Sequence, residues 1–263
     1  IKNLNLSNNL KLNIIKEVSG DKNLPSSLFL RQARINSKEV KKNDIFFAIK
    51  GKKNDGNRFV KQSFKRRASV VIVNKLQNNL NKRRQIKVKD TLKFLTDTSK
   101  ILRKNINTKI IAITGSCGKT TLKELLGNSL KKISKVSISP KSYNNKYGVP
   151  LSLFNLSQND DYGVLEVGMD KKGEIDYLSK IIRPDVSVIT NINYAHAKNF
   201  KNINQIALAK SEIIHNTKSK GYVVLNADDN FFKLHKKLAL KNNLKVISFG
   251  IKNQKSDVKF VNI

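Results

Sequence analysis

From about residue 110 onward, short apolar runs alternate with stretches whose apolar positions recur at helical spacing. The runs "KIIAIT" (109–114), "KVSIS" (135–139), "GVLEV" (163–167), "VSVIT" (186–190), "YVVL" (222–225) and "KVISF" (245–249) predict buried strands. Between them the pattern predicts helices over 120–132, 147–156, 174–182, 203–217 and 229–241. Strand–helix alternation of this kind defines an α/β fold, a mostly parallel sheet covered on both faces. Ligands of such folds gather at the carboxyl ends of the strands.

The first ninety residues read differently. "DIFFAI" (44–49) and "SVVIV" (69–73) are strand-like, and "NRFVKQSFKRRA" (57–68) predicts a helix between them. "TLKFLTDTSKILRKN" (91–105) places Leu92, Leu95 and Leu102 near one helical face and leads into a second domain. Two domains are expected, 1–105 and 106–263, with no Pro/Gly/Ser linker at the boundary. The Asn/Lys-rich patch "NKLQNNLNKRRQIK" reads as solvated loop or surface helix.

Composition changes this picture little. A chain of 263 residues can bury a real core. No run reaches the roughly 18 apolar residues of a membrane helix. The opening "IKNLNLSNNLKLNIIKEVSG" lacks the features of a secretory signal, and it lacks an initiator Met, so an incomplete N-terminus is the expectation. The single cysteine, Cys117, excludes an internal disulfide framework and suits a reducing, cytoplasmic setting. The net charge of +33 would suit a nucleic-acid binder, but it comes from 43 lysines against 9 arginines. These are spread along the chain among asparagines, whereas base and phosphate readout favours arginine forks. Compositional bias is the better reading, and no specific nucleic-acid partner is expected.

The chemistry concentrates in "ITGSCGKTTLKELL" (113–126), where a strand turns through glycines into a helix. Backbone N–H groups at a helix start, together with the macrodipole, make an anion site. The loop runs from Gly115 through Ser116, Cys117, Gly118, Lys119 and Thr120 to Thr121. Its first glycine lies two residues closer than a strict phosphate-loop spacing allows, but the strand–loop–helix context is what the motif requires. Lys119 is then expected on the β- and γ-phosphates of a nucleotide, and Thr120 or Thr121 on Mg²⁺. Three further residues lie near strand ends: Glu166 inside an apolar strand, His196 in "NINYAHAKNF" and Lys210 in "IALAKSEII". Taken alone, each reads better as an ordinary rim, surface or core residue than as a functional one.

The ordered set "ITGSCGKTT", "SYNNKYGVPLSLFNL", "VLEVGMDKKGEIDYLSKIIRPDVSVITNINYAHAKNF", "QIALAKSEII" and "VVLNADD" resembles the Mur ligases. Upstream, "NSKEVKKNDIFFAIKGKKNDGNRFVKQSFKRRASVVIV" resembles that family's UDP-substrate domain. The resemblance implies a small N-terminal substrate domain followed by a parallel-sheet ATPase domain. It implies an ATP-dependent amide ligase of peptidoglycan synthesis acting through an acyl phosphate. ATP and Mg²⁺ would be its cofactors, and UDP-N-acetylmuramoyl-tripeptide and D-alanyl-D-alanine its partners. A monomer is expected at full length, with no membrane insertion.

Site roles follow from the same resemblance. The loop Gly115–Thr121 with Lys119 would hold the ATP phosphates, and Thr120 with Glu166 would ligate Mg²⁺. His196 would bind a second Mg²⁺, which Lys210 would help place as its carbamate. Asn144 and Asn145 would read the muramoyl-peptide. The family's Asp-Ser-Arg element near the uridine is Asn36-Ser37-Lys38 here, leaving Ser37 as the candidate uridine contact. Asn57 follows Asp55-Gly56 where the family often has His. The family continues beyond "SDVKFVNI" into the end of the ATPase domain and a closing C-terminal domain. A chain lacking that domain is therefore expected to be inactive alone.

Overall fold

The computed structural model describes residues 10–21, 24–51, 54–194 and 199–259. The chain divides into two units, Ile1–Ile106 with Leu153–Asn155, and Asn107–Ser152 with Leu156–Ile263.

In the first unit, β1 (Ala33–Arg34), β2 (Ile45–Phe47), β3 (Val70–Val73) and β4 (Gln85–Lys87) form a parallel sheet in that order. Successive side chains point to opposite faces, so the pair Phe46–Phe47 serves two cores. Phe46 packs with Val40, Val60, Ala68, Val71 and Val73, where Val60 opens α2 (Val60–Lys65). Phe47 lies on the other face, its ring 6.4 Å from Phe94 of α3 (Thr91–Lys104) and 6.0 Å from Phe154. Asp90 caps α3 by accepting from the N–H groups of Leu92 and Lys93. Helix α1 (Leu10–Ser19) packs along α3. Beneath the sheet's amino ends the buried Asp44 accepts from Arg31 Nε at 3.0 Å and Arg34 Nε at 3.1 Å.

Two expectations need correction here. The helix expected over 57–68 is a 3₁₀ turn, Gly56–Phe59, followed by the shorter α2. The patch "NKLQNNLNKRRQIK" is not wholly solvated, because it ends in β4 with Gln85 and Ile86 buried. Gln85 tolerates burial because its amide exchanges two hydrogen bonds with the backbone of Gln77.

In the second unit, β5 (Lys109–Thr114), β6 (Val136–Ile138), β7 (Tyr162–Glu166), β8 (Val186–Ile189), β9 (Tyr222–Asn226), β10 (Lys245–Gly250) and β11 (Val258–Lys259) form one parallel sheet. Their spatial order is β11-β10-β9-β8-β5-β7-β6. From β5 the chain winds outward to β6 and back to β7, then crosses to β8 on the opposite side. That reversal opens a crevice at the carboxyl end of β5, where ligands of such sheets bind. Helix α4 (Lys119–Leu130) lays Leu122, Leu126 and Leu130 on Ile113, Val164 and Val188. Gly127 lets α4 approach β6, since a Cβ there would lie 2.4 Å from Ile138 Cδ1. Helices α6 (Glu174–Ile182) and α7 (Ile203–His215) pack together, and the Glu212 carboxylate accepts from the N–H groups of Gly173 and Asp176. Helix α8 (Phe232–Lys241) follows against α7, and α5 (Gly148–Phe154) precedes β7. Among the described residues, no helix is long and apolar enough to cross a membrane.

Candidate functional site

The loop from Gly115 to Gly118 leaves β5 at the switch point. Gly115 has φ 146°, and a Cβ on it would lie 1.8 Å from Thr190 Oγ1, so only glycine fits. Gly118, at φ 79°, precedes α4 and gives its first turn no side-chain cap. The leading N–H groups of α4 are thus free of side-chain acceptors at the mouth of the crevice.

A second loop, after β8, shapes the first. Asn191 accepts from Ser116 N through its carbonyl at 2.9 Å and from Cys117 N through Oδ1 at 3.0 Å. Ser116 Oγ donates to Asn193 O at 2.9 Å, and Thr190 Oγ1 donates to Cys117 O at 2.7 Å. Asp229 supports this loop from behind, accepting from Ile192 N at 2.7 Å. Sequence reading missed Thr190, Asn191, Asn193 and Asp229. Nothing in a chain so rich in asparagine distinguishes the two that matter here.

Two ammonium groups converge on the loop. Lys119 Nζ donates to Gly115 O at 2.9 Å and Ser116 O at 3.2 Å, and Lys210 Nζ reaches Gly115 O at 2.9 Å from α7. Lys210 is 2% exposed. Burial, then the charge of Lys119, lower its pKa from the usual 10.5 to about 7, with Cys117 opposing.

Glu166 ends β7 and is 1% exposed. Its carboxylate accepts from Thr120 Oγ1 at 2.7 Å and from Asn144 Nδ2 at 2.7 Å. Asn144 is drawn close because Gly168 has no side chain; a Cβ there would stand 2.8 Å from Asn144 Cγ. The neighbouring Asn145 turns away and caps α5, its Oδ1 accepting from Tyr147 N and Gly148 N. Of the two loop threonines, Thr120 meets the carboxylate, whereas Thr121 is exposed.

His196 lies outside the described residues. In the first unit, Ser37 is buried and its hydroxyl donates to Gln62 Oε1 at 2.6 Å. Asn57 sits in a polar knot, donating to Asp55 and accepting from Asn74 N. Among the described residues, no group of three or more His, Cys, Asp and Glu side chains could hold a metal ion.

The family description "Mur ligase middle domain" matches residues 113–263, and the chain belongs to the Mur ligase family. It is similar to the UDP-N-acetylmuramoyl-tripeptide–D-alanyl-D-alanine ligase of Buchnera aphidicola, 34% identical over 88% of this chain and 50% of that protein. Among solved structures it is similar to MurF from Acinetobacter baumannii, with a TM-score of 0.80, 31% identity, and coverage of 94% of this chain and 54% of that one. It is also similar to MurF ligase from Thermotoga maritima in complex with ADP, with a TM-score of 0.71, 32% identity, and coverage of 87% and 52%. The chain spans about half the length of these relatives.

Proposed function

We propose that this chain supplies the substrate-binding and ATP-binding parts of a ligase that joins D-alanyl-D-alanine to UDP-N-acetylmuramoyl-tripeptide in peptidoglycan synthesis. Residues 1–105 would bind the UDP-muramoyl-peptide and residues 106–263 the nucleotide. One observation carries the reading. Glu166 is held between Thr120 of the phosphate loop and Asn144 of the loop before α5, so nucleotide and peptide elements share one buried carboxylate. The relatives named above support the choice of substrates.

The residues present fit a nucleotide with Mg²⁺. A threonine hydroxyl beside a single carboxylate is a hard-oxygen pair, and Mg²⁺ is commonly bound by one or two carboxylates plus substrate phosphates rather than by an all-protein cage. When bound there, the ion would offset the negative charge of the phosphates. The first turn of α4 would hold the phosphate oxygens. Lys119 would leave the carbonyls of Gly115 and Ser116 to meet the developing charge as the peptide carboxylate attacks the γ-phosphorus and ADP departs. In the acyl phosphate so formed, the amine of D-alanyl-D-alanine would attack the carbonyl carbon, losing a proton as phosphate leaves. Asn144 would orient the muramoyl-peptide beside Glu166.

Lys210 has a separate role in this reading. With its pKa near 7 the amine is largely neutral above that pH, the form that adds to CO₂ to give a carbamate and a proton. The change turns a cation into an anion able to face a metal ion.

The test supplies the product of the whole reading frame with ATP, Mg²⁺, UDP-N-acetylmuramoyl-tripeptide and D-alanyl-D-alanine, and follows products by mass spectrometry. ATP-dependent pentapeptide is the expected result. Ligation of a single amino acid in place of the dipeptide would reassign the chain to another reaction of the family.

A further inference from the structure

Lys123 has no part in the site described so far, yet its side chain is fully buried. An ammonium taken out of water is costly unless its donors are met. Lys123 Nζ donates to Ser139 O at 2.7 Å and Lys141 O at 2.5 Å, and pairs with Glu124 Oε1 at 3.0 Å. Two carbonyl hydrogen bonds and one ion pair together account for the buried charge.

Two of those acceptors belong to one loop. Ser139 follows β6, and Lys141 takes the left-handed conformation at φ 49°, uncommon for a lysine. Six residues beyond Ser139 the same loop carries Asn145, and between them lies Asn144. Both ends of the loop are also fastened to β7 and the residues after it. Glu166 N donates to Ser139 Oγ, Asn144 Nδ2 donates to Glu166, and Gly168 N donates to Asn144 O. Lys123 thus holds the base of a loop whose tip is held by Glu166 and Gly168.

The position of Lys123 on α4 gives this meaning. Lys119 and Lys123 are one helical turn apart. The first reaches back to the phosphate-loop carbonyls, and the second reaches across to the Asn144 loop. One rigid helix therefore references both elements. A methionine would fill the same volume but leave the carbonyls of Ser139 and Lys141 without their donor.

We propose that Lys123 is a positioning residue that sets Asn144 against Glu166 and so fixes where the muramoyl-peptide binds relative to the nucleotide. The proposal rests on the functional reading above for the identity of the substrate, but not for the anchoring itself.

Two measurements on Lys123→Met separate these. Hydrogen exchange of the amides at 139–147 is expected to quicken by about tenfold or more, while exchange in β5 and β7 stays at parent values. In the product of the whole reading frame, KM for UDP-N-acetylmuramoyl-tripeptide is expected to rise about tenfold, with MgADP affinity within about threefold of parent. Lys123→Gln, which keeps one donor group, reads the same split in milder form should Lys123→Met not fold. Unchanged loop exchange overturns the proposal. So does a nucleotide affinity that falls as far as the affinity for the peptide substrate, because that pattern means general loosening of the unit. An inactive parent whose Lys123→Met variant still shows the selective exchange would overturn the substrate reading and leave the anchoring standing.

Discussion

Thr120 and Glu166, 46 positions apart in the chain, meet at 2.7 Å where α4 begins and β7 ends. The bond joins a hydroxyl in the first turn of α4 to a carboxylate that is otherwise cut off from water, and it makes a pair of oxygens suited to a hard cation.

Glu166→Gln tests that pair. The amide keeps the shape but loses the charge, and because Thr120 and Asn144 bond to different carboxylate oxygens, one of them would face an NH₂ group instead. ADP affinity in the presence of Mg²⁺ is expected to fall by about 10–100-fold, while affinity in EDTA stays near parent. Titration calorimetry under both conditions checks this. A variant that retains the full Mg²⁺ enhancement would remove Glu166 from the metal site.

Lys210 gives a pH dependence whose sign can be worked out. Its folded pKa of about 7 lies below the usual 10.5, so between those values the unfolded chain holds a proton that the folded chain does not. Stability should therefore rise with pH across that window and lose this dependence below pH 7. Urea unfolding at several pH values should show a steeper rise for parent than for Lys210→Met. In the same range, ¹³C-labelled bicarbonate should give a carbamate resonance in parent that is missing in the variant. A pH-independent difference in stability would contradict the neutral amine.

Gly115→Ala should fail for steric reasons alone. The added methyl would fall 1.8 Å from Thr190 Oγ1, in a backbone conformation that L-residues rarely adopt. A loss of about 1–3 kcal/mol is expected, read by thermal unfolding, together with loss of ADP binding. Normal binding by this variant would mean that the two loops are not locked together.

Asp44→Ala probes the first unit. Its carboxylate is fully buried between Arg31 and Arg34, which remain partly exposed. Removing one partner of a buried pair commonly costs about 3–5 kcal/mol, and the exposure of the arginines places the expected loss at or below the lower end. Denaturant unfolding gives the value, and a change under half a kcal/mol would show that the pair contributes nothing net.

What was legible in the sequence was whatever repeats locally. Six of the seven strands of the second unit announce themselves as β-branched runs, the two-residue β11 being too short to do so, and "GSCGKTT" carries its own strand–loop–helix frame. Helix α1 was missed because its buried Leu10, Leu12, Ile14 and Ile15 sit among asparagines and lysines with no clean helical period. Strand β4 was missed because it is three residues long and begins with a glutamine. In the site, Lys119 stood out by its motif, and Glu166 only through the resemblance to the family. Lys123 did not, because one lysine among 43 looks the same whether it is solvated or buried. The supporting bonds of Asn191 and Asp229 depend on which strands become neighbours, and local pattern says nothing of that.

The hydrogen bonds around the Gly115–Gly118 loop have one more consequence. The N–H groups of Ser116 and Cys117 are engaged by Asn191, and the ammonium of Lys119 by two carbonyls. An anion reaching for these three donors must trade with those oxygens, whereas the uncapped first turn of α4 is open to it without a trade. A chain of linked phosphates can make several such trades together after losing its freedom only once. In the nucleotide reading proposed above, the loop would therefore favour phosphates that arrive joined over lone anions.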